Sequence, residues 1–311
     1  MTFKLPELPS LRAGLHELAD FAEILAWKQT SISEREIIAF LGRVDENAHN
    51  EGVNDDEEDA TNLLPQVMIE IQRRETACKG GYPFSLTREG TVLRYNESDK
   101  DLTASISYRY LLLSTRLNMK ASKVHAGLDG TLLLEFLAAH VLRCYLGQRS
   151  KSFVFGSAES GSFANKVVDL CHQLKEGSGF EPLDNNARVN AVDDKLDAVA
   201  WIPFHDETPG QLIIFGQCKT GTNWKNLESQ LQPTVFAKRW LKSRAFLVDP
   251  IRALCIAEAI DRSRWNHVSA AAGIVFDRCR IVDFCEGFDA TQIRNWTDAA
   301  FASISIGGLS I

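Results

Sequence analysis

No Cys-x-x-Cys pair occurs in this chain, and its cysteine count of seven is odd. That pattern argues against a disulfide framework or a zinc ribbon and suits scattered thiols in a reducing compartment. Long apolar runs are also missing, since none approaches the ~20 residues that a membrane span requires. The N-terminal stretch MTFKLPELPS has neither the basic start nor the apolar core of a signal peptide. A cytoplasmic protein with no membrane partner is therefore expected. Positive charge is in deficit too: 34 Lys and Arg against 41 Asp and Glu leave a net charge of −7. A general nucleic-acid-coating protein would be basic, so any DNA contact must be a local patch. A nucleotide-binding loop fails as well. Gly156 and Gly161 have the right separation, but Ser162 and Phe163 stand where such a loop needs Lys and then Ser or Thr. Ser160 or Ser162 is expected to cap the helix that follows.

What is present is the composition of an ordinary globular protein, 45% hydrophobic and 24% charged over 311 residues, enough for one large or two modest domains. Leu11, Leu15, Leu18, Phe21, Ala22 and Leu25 recur at helical spacing, which predicts an amphipathic helix over 11–28. Ser33 and Glu36 make a capping-box pattern, so a second helix starts near residue 34. Eight acidic side chains lie between Asp45 and Asp59, which reads as a solvated loop or a helix N-terminal turn, with a DNA mimic as the sharper alternative. A helix is predicted over 62–77 with Pro65 in its first turn, then a pair of short strands in GGYPFSLTREGTVLRY. Residues 1–120 are expected to form a mostly helical accessory or regulatory domain, and 121–311 a second domain. In the latter, TLLLEFLAAHVLRCYLG predicts a helix buried on most sides, with Glu135 as its lone acid. Burial of a carboxylate calls for a cation or a donor.

The pattern richest in chemistry runs from Lys195 to Trp224. LDAVAWI and QLIIFG predict two strands joined by the turn-like PFHDETPG, and hence a hairpin. A turn over 203–210 puts Asp197 beside Gln217 within the slack of one bulge. Because strand side chains alternate, Gln217 and Lys219 share a face and Cys218 points the other way. A carboxylate, an amide oxygen and an ammonium group converge. Asp193 and Asp194, at the end of the polar loop 176–195, are expected to be solvated beside Lys195, with a charge lent to the site as the alternative. Downstream, NLESQLQPTVFAKRWLKSR predicts a helix that carries Gln230 and the densest basic cluster: Lys238, Arg239, Lys242 and Arg244 around Trp240. Residues 251–260 predict a strand, SRWNHVSAAAG a helix, GIVFDRCRIVDF a strand pair turned at Asp277 and Arg278, and the tail a helix from about Ala290.

Asp197 with Gln217-Cys218-Lys219 resembles the PD-(D/E)xK nuclease superfamily, in the QxK variant that occurs among Mrr-like nucleases. Gln217 stands where most members have Glu or Asp. The resemblance covers roughly residues 125–285 and, outside the site positions, rests on element order. It implies an α/β fold with a restriction-endonuclease-like core, a central mixed sheet flanked by helices. It also implies a magnesium-dependent DNA endonuclease in which Glu135, Asp197 and Gln217 hold the metal, Mn2+ being able to substitute, and Lys219 orients the hydrolytic water. Glu135 matches the acid of the superfamily's first core helix, and Gln230 the polar residue that braces its site. Bacterial restriction or anti-phage defence is the implied setting, with a homodimer or a regulatory partner protein to control cutting. Two alternatives stand beside it: a catalytically inactive nuclease-like module that binds DNA or a partner, and a hydrolase with Cys218 as nucleophile.

Overall fold

The computed structural model describes residues 3–10, 13–46, 53–158, 161–184, 194–304 and 306, with the backbone alone described over 42–46 and 53–62. Leu11, Ser160, Asp193 and the side chains of the acidic run 45–59 lie outside the described residues. Helix α1 (Leu15–Gln29) is followed by strand β1 (Ser31–Ser33) and helix α2 (Glu34–Glu46). The expected capping box starts α2: Ser33 N–H donates to the Glu36 carboxylate at 2.8 Å, and Glu36 N–H to the Ser33 hydroxyl at 3.3 Å. Helix α3 (Val53–Ala77) begins earlier than predicted, so Pro65 lies inside it rather than in its first turn. The Asp- and Glu-rich residues 55–59 favour that extension, because carboxylates suit a helix N-terminus.

Strands β2 (Phe84–Thr87) and β3 (Val92–Tyr95) form the predicted pair and join β1 in an antiparallel sheet of order β1-β3-β2. The segment after them is helix α4 (Thr103–Arg116), buried from Ser105 onward. A two-residue pair, β4 (Val124–His125) and β5 (Leu128–Asp129), leads into helix α5 (Gly130–Leu146). Asp129 caps α5 by accepting from Thr131 N–H at 2.9 Å. Gly147 closes it at φ 92°, a conformation that glycine adopts without strain.

The remaining elements are β6 (Lys151–Val154), α6 (Phe163–Leu174), β7 (Ala198–Ile202), β8 (Leu212–Lys219), α7 (Pro233–Trp240), β9 (Ile251–Ile256), α8 (Trp265–Ala272), β10 (Ile274–Phe276), α9 (Arg278–Asp283) and α10 (Thr291–Ala302). Among the described residues, five strands build a mixed sheet of order β10-β9-β8-β7-β6, antiparallel from β6 to β8 and parallel from β8 to β10. The fold is mixed α/β. Helix α5 covers one face of the sheet, packing Leu134, Leu137 and Val141 with Ala198, Ala200 and Ile214. Helices α6 and α7 cover the other, where Phe163, Val167, Leu170 and Phe236 meet Val199, Trp201 and Phe215. This alternation is the period-2 pattern of strands buried on both faces.

Two predicted elements differ. Residues 278–283 form helix α9 rather than a second strand, because Asp277 caps it by accepting from Arg280 N–H at 3.2 Å. Residues 223–229 are turns and 230–232 irregular, and α7 starts only at Pro233, whose ring fits a first helical position but disfavours helix in the residue before it. The boundary expected near residue 120 falls after α4, and one apolar cluster crosses it, from Phe3 through α1, α4 and α5 to Ile306.

A buried ionic cluster lies inside that shared core. Arg74, Arg116 and Arg278 are 0% exposed and surround Asp20 and Glu23 of α1. Arg278 grips Asp20 with two N–H groups, at 2.8 and 3.1 Å, while Arg74 donates to Asp20 at 2.7 Å and to Glu23 at 2.9 Å. Arg116 donates to Asp20 at 2.7 Å, and the hydroxyls of Tyr82 and Tyr108 donate to Glu23 at 2.7 and 2.8 Å. Burial would raise the Asp20 carboxyl, but Arg278, Arg116 and Arg74 outweigh it and hold the group well below the usual aspartate range. Such a cluster adds little net stability over an apolar core, yet removing one partner strands a buried charge. Arg278→Met should therefore lower the unfolding free energy by about 3–5 kcal/mol, measured from urea midpoints at pH 7. A depressed folded pKa stabilises fully above the unfolded value, so the deficit should persist down to about pH 4 and shrink below it. An unchanged midpoint at pH 7 would rule out this role for the cluster.

Candidate active site

The antiparallel register of β7 and β8 runs from Ile202 opposite Leu212 to Ala198 opposite Gly216. One step further it sets Asp197 opposite Gln217, and Asp197 N–H continues the ladder onto the Gly216 carbonyl at 2.9 Å. The sequence reading of this pair therefore holds in three dimensions. The start of β7 and the ends of β6, β8 and β9 meet at the same edge of the sheet, beside the point where pairing changes from antiparallel to parallel. Edges of this kind, at strand carboxyl ends, leave backbone and side-chain polar groups facing a crevice.

Asp197 is 8% exposed and accepts from Cys218 N–H at 2.6 Å. Its own carbonyl accepts from Phe155 and Gly156 N–H, each at 2.9 Å, which ties the loop after β6 to the start of β7. Glu135, 7% exposed in α5, accepts from Ala158 N–H at 2.8 Å on that same loop. A Cβ on residue 156 would lie 2.3 Å from the Glu135 Oε2, so glycine is what lets the carboxylate approach. Both carboxylates also act on the Cys218 thiol. A hydrogen bond with Cys255 and burial push that thiol well above its ordinary range, and Asp197 and then Glu135 push it further. The Cys218 sulfur points at the Leu134 carbonyl, 3.8 Å away on α5, opposite in direction to Gln217. A protonated thiol facing the core is a poor nucleophile, which weighs against Cys218 as the reacting group.

Gln217 is 1% exposed, and its side-chain oxygen Oε1 has no hydrogen-bond partner. Its Nε2 donates to Gln230 Oε1 at 3.5 Å, a long bond. Gln230 reaches the site from a turn ahead of α7 rather than from the predicted helix. A buried acceptor without a partner carries a desolvation cost, so a donor or a cation brought to this oxygen would offset it. Lys219 follows on the same face at the end of β8, half-buried; among the described residues no side-chain partner engages its ammonium group. Its backbone carbonyl accepts from Ala257 N–H at 3.1 Å.

The structure thus brings Glu135, Asp197, Gln217 and Lys219 to one sheet edge. Among the described residues no group of three or more His, Cys, Asp and Glu side chains is clustered for a metal. A divalent cation here would rest on the Asp197 and Glu135 carboxylates, and the Gln217 amide oxygen fits it as a third, hard ligand. Lys166 was missed from sequence. Only 3% exposed, it donates from Nζ to the Gly156 carbonyl at 2.5 Å and so holds the loop on which Glu135 rests. The signal was a lysine on the apolar stripe Phe163, Val167, Leu170 and Leu174 of α6.

Other candidates separate from the site. Ser162 caps α6 by accepting from Asn165 N–H at 3.3 Å, as predicted. In the basic cluster, Arg239 turns to Asp194 at 3.4 Å and Arg244 to Glu181 at 2.8 Å, while Trp240 Nε1 donates to Asp194 at 2.6 Å. Lys238 and Lys242 alone in that cluster stay exposed without a side-chain partner among the described residues.

Gly156→Ala should destabilise the protein by roughly 1–3 kcal/mol through overpacking against Glu135. In a double-mutant cycle Glu135→Ala should remove most of that penalty; strictly additive effects on the unfolding midpoint would place the two residues apart. Comparisons with protein-family models, with curated proteins and with solved structures return no match, so the site stands on this chain's own geometry.

Proposed function

We propose that this chain is a metal-dependent nuclease with a restriction-endonuclease-like core, hydrolysing phosphodiester bonds of DNA in bacterial restriction or anti-phage defence. The observation that carries the reading is the buried, unpartnered Gln217 oxygen beside the Asp197 carboxylate, with the Lys219 ammonium on the same face. The element order α5, β6, α6, β7, β8, α7, β9 supports it, with α6 inserted between the first two strands. When bound by Asp197, Gln217 and Glu135, magnesium or manganese would supply Lewis-acid stabilisation of the phosphoryl oxygens.

The chain's own groups account for the rest. Lys219 presents a positive charge to the phosphate oxygens, where negative charge grows during attack, and orients the attacking water by hydrogen bonding. Asp197 is kept as an oriented acceptor by Cys218 N–H, and Glu135 by Ala158 N–H. Cutting both strands of a duplex calls for two such sites, hence a homodimer or a second chain.

A second reading, a nuclease-like module that binds DNA or a partner without cutting, draws on the amide at position 217 and the net charge of −7. Metal binding separates the two. Gln217→Glu adds a negative charge where the unpartnered oxygen sits, so it should tighten Mn2+ binding several-fold by calorimetry; equal affinity in both proteins would remove Gln217 from the metal. Asp197→Ala and Lys219→Ala should each reduce Mg2+- or Mn2+-dependent cleavage of supercoiled DNA on the order of 100-fold or more with thermal unfolding retained. Undiminished cleavage by either variant would sink the assignment.

A further inference from the structure

The loop that leaves Lys219 forms one wall of a cleft of about 660 Å³, whose opposite wall comes from the N-terminal segment and the residues that follow α4. Thr220, Gly221 and Asn223 face Lys4, Asn118 and Lys120 across it. Two lysines and no carboxylate line this cleft. Three other clefts each contain carboxylates: Glu207 in one, Glu17, Glu258 and Asp261 in a second, and Glu97, Asp101 and Asp298 in a third. In a chain of net charge −7, a lysine-lined hollow without acids is a local reversal of sign.

Both walls are held in place. Gly221, at φ 70°, donates its N–H to the Ser114 carbonyl at 2.9 Å, which fixes the loop against α4. Lys4 Nζ donates to the Thr115 carbonyl at 2.5 Å and lies 3.7 Å from where a Gly221 Cβ would be. Burial, and then Arg116, hold the Lys4 pKa down to about 8 against the opposing pull of Glu258, Asp20 and Glu17. Lys120 is exposed, and no side chain among the described residues pairs with its ammonium.

We propose that this cleft binds the phosphates of a nucleic-acid strand that continues from the candidate site past Thr220. The proposal rests on the phosphodiesterase reading for its ligand and adds where the strand runs. The cleft begins at the residue after Lys219, so a backbone whose scissile phosphate sits at Lys219 meets Lys4 and Lys120 with its next phosphates. The ligand is recognised by charge and by hydroxyl and amide groups, without reading of base sequence.

The test is fluorescence anisotropy of labelled 20-mer duplex and single-stranded DNA with the full chain in EDTA, where binding is read without cleavage. Lys120→Glu and Asn223→Asp should each weaken binding at least about fivefold, and Lys120→Glu should lower the slope of log affinity against log salt by about one. Lys4→Gln should do likewise, with Lys4→Arg restoring affinity if the folded N-terminal segment is intact. Unchanged affinity and slope in the Lys120 and Asn223 variants overturn the cleft, even where metal-dependent cleavage succeeds. Binding that depends on these residues in a protein that never cuts keeps the cleft and removes the hydrolase. Absence of DNA binding by the parent, or binding of inorganic pyrophosphate in its place, overturns the proposal.

Discussion

Five charged side chains that never meet water hold this molecule in one piece. Asp20 and Glu23 sit on a helix near the start of the chain, and Arg278 reaches them from the far end. Each of these groups would be ruinous to bury alone, so each obliges the others to be present. Arg278 also donates from Nε to the Ala257 carbonyl at 3.0 Å, and Ala257 N–H in turn donates to the Lys219 carbonyl. The ionic cluster therefore reaches, by one backbone residue, the strand end that carries the candidate chemistry. The segments before and after residue 120 share both the cluster and the apolar core around it.

The candidate site follows from how two kinds of packing share one sheet. Alternation along β8 sends Phe215 to the α6 and α7 face and Ile214 to the α5 face. The same alternation then sends Gln217 one way and Cys218 the other, at the point where the apolar layers run out. Polar side chains at that edge are partly satisfied by backbone N–H groups from neighbouring loops. Asp197 takes one from Cys218 and Glu135 one from Ala158, while the Gln217 oxygen takes none. This unevenness gives the edge its chemical character: oriented acceptors packed together, with a lysine at the rim. The N-terminal segment adds to that edge, because Lys4 and the end of α4 stand beside the loop that follows Lys219.

Much of this was legible in the residues. The Ser33 and Glu36 box is a local exchange of hydrogen bonds, complete within four positions. The hairpin register is legible because the connection between the two strands fixes which residues face each other, and so the sequence pairs Asp197 with Gln217. Where the structure differs, a competing signal wins over the apolar pattern. Residues 278–283 look like a strand by their β-branched content, but an Asp cap and the pull of Asp20 on Arg278 make them a helix. Gln230 reaches the site from a turn, since Pro233 stops the helix from extending back to it.

By itself the sequence determined the alternation of the central strands, the turn that pairs them and the caps of several helices. It also determined the presence of an acid in an apolar helix. Each is set by groups a few residues apart, where backbone geometry leaves little choice. Only the tertiary structure decided that Asp20 and Arg278 meet, that Lys166 supports Gly156 beneath Glu135, and that Lys4 lies over Gly221. Those contacts join positions far apart in the chain, and what selects them is the cost of leaving a charge or a polar atom buried without a partner.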